Sequence, residues 1–174
     1  MTNGESVVKR SIFLIITFLS IFCHSIFAQN LTNQNNGIDV SIKYYNKTVY
    51  YPESSEENPI YVHITIANNG TEPFRFKLAD DRMFSIDFNA FNVKNKSLPQ
   101  QENLISKRTT SQTVYFREIS IESGEEYSFI ENLKDYVVIE DTGIYYFDLK
   151  FYPELYKNKL NFIKSNLLTL DVRP

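Results

Sequence analysis

The chain has 174 residues, with 18 basic against 21 acidic side chains and a net charge of −3. No basic cluster is longer than Lys107-Arg108, which excludes the electrostatic footprint of a nucleic-acid binder. One cysteine excludes a disulfide framework, and two histidines beside it leave too few ligands for a zinc site.

Residues 1–28 read as a signal peptide: Lys9-Arg10 close a charged start, Ser11 to Phe22 form the apolar stretch, and Ala28 precedes Gln29 at the cleavage point. The apolar run is short for a spanning helix and is interrupted by His24-Ser25. The expected product is exported, to the periplasm or outside the cell. It would be held at a membrane only if the segment stayed uncleaved or Cys23 were lipidated, and Phe22 is too large for the position before a lipid-modified cysteine. Residues 29–37, with four asparagines and no apolar period, read as a disordered leader, and residues 38–174 as one domain.

From Ile38 the chain alternates with a period of two. Ile38, Val40 and Ile42 share one face of a first strand, and Ile60, Val62, Ile64 and Ile66 alternate with Tyr61, His63, Thr65 and Ala67 in a second. Asn68-Asn69-Gly70-Thr71 then has the chemistry of a hairpin, since Asn-Gly accepts positive φ. Phe74, Phe76 and Leu78 form one strand and Phe84, Ile86 and Phe88 another, with Asp80-Asp81 at the turn. Leu98 to Thr113 is polar and patternless, and reads as a long connecting loop. Val114 to Ile121 is a strand, Glu122-Ser123-Gly124-Glu125 turns it, Tyr127 and Phe129 return, and Leu133 to Tyr136 suits one helical turn. Tyr145 to Tyr152 and Ser165 to Val172 close the series.

Seven or eight short strands with turn signals between them describe an all-β antiparallel sandwich. Asp141-Thr142-Gly143-Ile144-Tyr145 reads as a tyrosine corner of an immunoglobulin-like sandwich. Gly143 takes the turn, and Tyr145 donates its hydroxyl to a backbone carbonyl near Val138 to Glu140. The run Ile64 to Phe74, the Phe84 to Phe88 strand, the Ile121 to Glu125 turn and Gly143-Ile144-Tyr145 recur in this order in bacterial secreted immunoglobulin-like domains. In particular the chain resembles the domain family named after the Bacillus intracellular proteinase inhibitor. That resemblance implies an immunoglobulin-like fold; the Leu98 to Thr113 loop has no counterpart placed in that family, and inhibition through it is a separate expectation. The chain departs from that family in lacking tryptophan.

Motifs for catalysis are scarce. His63 is the only histidine after residue 28 and sits on the face opposite the isoleucines, with no nucleophile elbow to accompany it. The five glycines form no phosphate-binding cluster. Glu56-Glu57, Asp80-Asp81, Glu125-Glu126 and Glu140-Asp141 fall in turns, where acids are simply solvated, and none has the spacing of a calcium loop. No enzyme, cofactor or metal is expected.

The binding candidates are Tyr61, Tyr146 and Tyr152, placed outward by alternation, which suit sugar stacking or a protein anchor but commonly just pack across the strand. Lys107 and Arg108 are the bait a trypsin-like proteinase would take. The leading reading is a non-catalytic protein-binding or assembly module that pairs through a sheet edge, with Ile38 to Tyr45 as the favoured strand. Carbohydrate binding by the tyrosines and inhibition through the 98–113 loop are the alternatives.

Overall fold

The computed structural model describes residues 37–46, 48–52, 58–157 and 160–174. The signal segment, Cys23, Glu56-Glu57 and all of the leader before Gly37 lie outside the described residues. Among the described residues ten strands and one α-helix follow in order: β1 Ile38–Tyr44, β2 Val49–Tyr50, β3 Tyr61–Asn68, β4 Phe74–Ala79, β5 Ile86–Asn92, α1 Glu102–Thr109, β6 Phe116–Ile121, β7 Glu126–Asn132, β8 Gly143–Phe151, β9 Ile163–Lys164 and β10 Leu168–Val172, with 3-10 turns at Arg82–Phe84 and Leu133–Asp135. One sheet runs β1-β3-β7, a second runs β2-β10-β8-β5 with β9 against β8, and β4 pairs with β6. All pairs are antiparallel except β2 with β10. The domain is an all-β sandwich with more strands than the seven or eight expected, because short β2 and β9 carry no alternation to read.

The core follows from side-chain parity. Val40 and Ile42 of β1, Val62, Ile64 and Ile66 of β3, Ile86 and Phe88 of β5, and Phe147, Leu149 and Phe151 of β8 are all buried. Their alternation buries one face of each strand, the arrangement that removes most apolar area from water per residue of strand. Aromatic edges lock the layers, with Phe76 and Phe151 at 5.2 Å and 88° and Phe88 and Tyr136 at 5.1 Å and 70°.

Asn68-Asn69-Gly70-Thr71 does not make a hairpin. β3 pairs with β1 and β7, whereas β4 pairs with β6, so this segment carries the chain from one sheet to another. The β6–β7 turn bends beside it: the Asn68 N–H donates to Glu125 O at 2.9 Å and the Gly124 N–H to Asn68 O at 2.7 Å. The buried Asn68 side chain ties the bend, donating from Nδ2 to Glu72 O at 2.8 Å and Ile121 O at 3.0 Å and accepting from the Gly70 N–H at 3.0 Å. Positive φ falls instead on Gly124, at +83° in the partner turn.

At the corner before β8 the Tyr145 hydroxyl donates to Asp141 O at 2.9 Å, one residue beyond the stretch expected to accept it. Gly143 there has φ +148°, a conformation that side chains rarely adopt. Tyr145 is buried. Tyr145→Phe removes one bond and leaves a carbonyl that water reaches only in part, so the expected loss is about 1 kcal/mol by urea unfolding. An unchanged midpoint would show that this bond holds nothing.

Candidate functional site

The segment expected to be a patternless loop contains α1. Its polar surface hides the helix from a periodicity reading, because Leu104 alone in it is buried. Arg108 therefore offers no bait: its side chain is only 5% exposed and forms an ion pair with Asp87 at 3.1 Å. Nε donates to Met83 O at 2.9 Å, Nη2 donates to Ile86 O at 2.7 Å, and the guanidinium lies 3.9 Å from the centre of the Tyr156 ring. Lys107 is half-exposed and paired with Asp81 at 2.6 Å. The loop reading failed because these contacts are made with residues far away in sequence, Asp81 to Asp87 on one side and Tyr156 on the other.

The three tyrosines separate. Tyr152 is buried, a correction to its outward placement. β8 ends at Phe151, so alternation no longer applies at the next residue. Tyr152 instead donates its N–H to Ser85 O at 2.8 Å and packs edge-on against Tyr156 at 5.3 Å. Burial pushes its hydroxyl up to about 12. Tyr146 is half-buried against its cross-strand neighbour Phe91, ring centres 5.6 Å apart. Tyr61 alone of the three is exposed, at 39%, on the wall of a polar cleft.

Backbone groups at the sheet edges set what else the surface offers. β1 pairs only with β3 among the described residues, but its centre is occupied: the Asn166 side chain accepts from the Ile42 N–H at 2.7 Å and donates to Ile42 O at 3.0 Å. The strand's outward groups are thus on the even residues, since antiparallel ladders alternate and the Tyr45 N–H points inward to Tyr61 O. Ser41 and Lys43 face β3, so their amides are not edge donors. On β5 the edge is covered by the Leu98 N–H on Ala90 O at 2.9 Å and by Arg108 on Ile86 O. On the outer side of β4 the Lys77 N–H meets Pro153 O and the Ala79 N–H meets Ser85 Oγ, both at 2.8 Å.

β6 and β7 differ from these edges. Among the described residues β7 pairs only with β3, its odd residues face that strand, and the main-chain groups of Glu126, Ser128 and Ile130 face away. β6 pairs only with β4 among the described residues. The Asp80 N–H bonds to Tyr115 O, so odd residues of the strand face β4 and the main-chain groups of Phe116, Glu118 and Ser120 face away. Those three side chains are exposed, as is Tyr115 at 73%. Beside its first residues a groove of about 350 Å³ is lined by Phe84, Val114, Phe116, Leu155 and Tyr156. Reading the sequence missed this edge, because strand order in a sheet has no local signature; the charged pair Arg117-Glu118 within a strand was the only hint, since charges blunt exposed edges.

The acids and His63 build no reactive centre. Asp81 accepts from the Met83 N–H at 3.2 Å and caps the turn Arg82–Phe84, Glu125 accepts from the Glu122 N–H at 2.9 Å, and His63 Nδ1 lies 3.4 Å from Thr65 Oγ1. No group of three or more His, Cys, Asp or Glu that could hold a metal occurs among the described residues.

What remains among the described residues is an all-β domain with uncovered outer edges on β6 and β7 and a shallow polar cleft. Residues 39–173 match the family model of the flagellar collar protein C N-terminal domain, and the chain belongs to that family. No curated protein matches the chain. Solved structures with partial similarity are a Bacteroides uniformis beta-glucuronidase, at 12% identity and TM-score 0.37 over 76% of this chain and 13% of that one, and a Listeria innocua beta-glucosidase in complex with glucose, at 10% identity and TM-score 0.37 over 79% and 16%. The chain spans less than a fifth of the length of either.

Proposed function

We propose that residues 38–174 form an exported, non-catalytic assembly module of a flagellar collar, joined to another protein by main-chain pairing along β6. The observation that carries this is the outward row of main-chain groups at Phe116, Glu118 and Ser120 together with the apolar groove beside it; the β1, β4 and β5 edges are stopped by Asn166, Pro153, Ser85, Leu98 and Arg108, and β7, though also uncovered, is not the edge beside which that groove lies. Strand addition draws affinity from such groups and specificity from pockets beside them, and the groove at Phe84, Val114 and Leu155 supplies the pocket. Membership of the collar family supports a role in assembly over one in chemistry.

Glu118→Pro removes one outward N–H without touching the bonds to β4. In cells assembling collars, a photo-crosslinker at Ser120 is expected to capture a second collar protein, and one at Asp39, on β1, is not. Glu118→Pro should reduce that capture at least about tenfold, the worth of roughly 1.4 kcal/mol, with native circular dichroism retained. Undiminished capture in a folded proline variant would move the contact off this edge.

A further inference from the structure

The cleft at the far end of β3 has a chemistry of its own. Its volume is about 580 Å³, within the range of roughly 300–1,000 Å³ usual for small-molecule sites. Tyr61, the first residue of β3, stands on one wall, Asn132 at the end of β7 and Lys134 and Asp135 form another, and Gln101 and Asn103 at the start of α1 complete it. We propose that this cleft binds a neutral oligosaccharide, with the Tyr61 ring as the stacking platform and Gln101, Asn103 and Asp135 as partners for ring hydroxyls.

Three observations select that class. First, the framework is tied before any ligand arrives. Asn132 Oδ1 accepts from the N–H groups of Ile60 at 3.1 Å and Lys134 at 3.3 Å, its Nδ2 donates to Asp135 Oδ1 at 3.2 Å, and the Leu133 N–H donates to Ile60 O at 2.9 Å. The Gln101 N–H donates to Tyr136 O at 3.0 Å, fixing the start of α1 against the same turn. A site already held in shape spends less of its interaction energy on ordering.

Second, the polar groups are mixed donors and acceptors. Gln101 uses Nε2 on Val137 O, at 3.4 Å, and keeps its own carbonyl oxygen; Asn103 offers both halves of an exposed amide; one Asp135 oxygen is spoken for by Asn132. A hydroxyl both donates and accepts, so a row of sugar hydroxyls fits such a set, whereas a peptide would need apolar side-chain pockets that this lining lacks. Third, among the described lining residues the one ammonium, Lys134, stands beside the one carboxylate, Asp135, and is held 5.4 Å from the Tyr50 ring, so these residues offer no excess of positive charge to a phosphate or an acidic polymer. Tyr61, 39% exposed, supplies the apolar ring face that a pyranose covers with its C–H groups.

The site is on different elements from the β6 edge, so either assignment can fail alone. The test is titration of the 15N-labelled full chain with chitotriose, cellotriose and maltotriose, followed by amide shifts. At least one sugar is expected to shift Tyr61, Gln101, Asn103 and Lys134 progressively, with an affinity in the millimolar range, about 4 kcal/mol. Tyr61→Ala should weaken binding at least about tenfold, or roughly 1.4 kcal/mol, and Asn103→Ala, at an exposed position that does not endanger folding, at least about threefold by the loss of one hydroxyl partner. No shift with any of the three up to about 20 mM, well beyond the millimolar affinity expected, overturns the proposal. So do shifts confined to other surfaces, or binding equal in both variants.

Discussion

Arg108→Ala is expected to destabilise the domain by about 3–5 kcal/mol, the range seen when one partner of a buried ion pair is removed and the other is left uncompensated. The guanidinium and the Asp87 carboxylate are 5% and 16% exposed, so water replaces little of what is lost. Deletion also strips Met83 O and Ile86 O of their donors and uncovers the Tyr156 face. Arg108→Lys should recover only part of the loss, because a single ammonium cannot serve a carboxylate and two carbonyls in the planar fork that the guanidinium provides. Lys107→Ala, one position away but half-exposed, should cost less than about 1 kcal/mol. Urea unfolding of the three variants measures the contrast, and equal costs at 107 and 108 would refute the anchoring role of Arg108.

Asn68→Leu ranks next, at an expected cost of about 3 kcal/mol. The side chain is completely buried at the place where β3 crosses to β4, and its three hydrogen bonds go to three separate main-chain groups, on Gly70, Glu72 and Ile121. Leucine fills similar volume but removes three hydrogen bonds, worth about 0.5–1.5 kcal/mol each, and the cost is largest at the buried Ile121 O, while Glu72 O and the Gly70 N–H lie nearer to water. Hydrogen exchange adds a spatial check: faster exchange at Gly70 and along the β4–β6 pair, with β8 and β10 unchanged, is the expected pattern. Uniform acceleration would mean that the bend is no more sensitive than the rest of the sandwich.

These two residues also mark where the sequence stopped being legible. The alternating strands could be read because each buries one face, and that parity is a local property: β3 and β8 run as the isoleucines from 60 to 66 and the inward row Tyr145, Phe147, Leu149 and Phe151 imply. Asn68-Asn69-Gly70 could not. Its residues allow a tight reversal, but whether the chain turns back or crosses to another sheet is decided by Ile121 and Glu125, more than fifty positions on. Helix α1 was missed for a related reason, since a helix with one buried apolar residue has almost no stripe and is held down by Arg108 reaching to β5. Tyr152 failed by a single step, the parity rule being applied one residue beyond the last strand bond. Of the candidate binding surfaces, Tyr61 could be seen from alternation, whereas the β6 edge depends on which strands are neighbours.

The Asn166 amide that grips both main-chain groups of Ile42 imitates, with one side chain, the residue of a strand that is not there. A sheet able to accept a strand on either side is bivalent, and copies of it can add to one another without limit into ribbons. In the sheet β1-β3-β7, stopping β1 at its middle leaves addition to the β7 side alone, where the main-chain groups of Glu126, Ser128 and Ile130 face away from β3, so that sheet can lengthen in one direction and not in two.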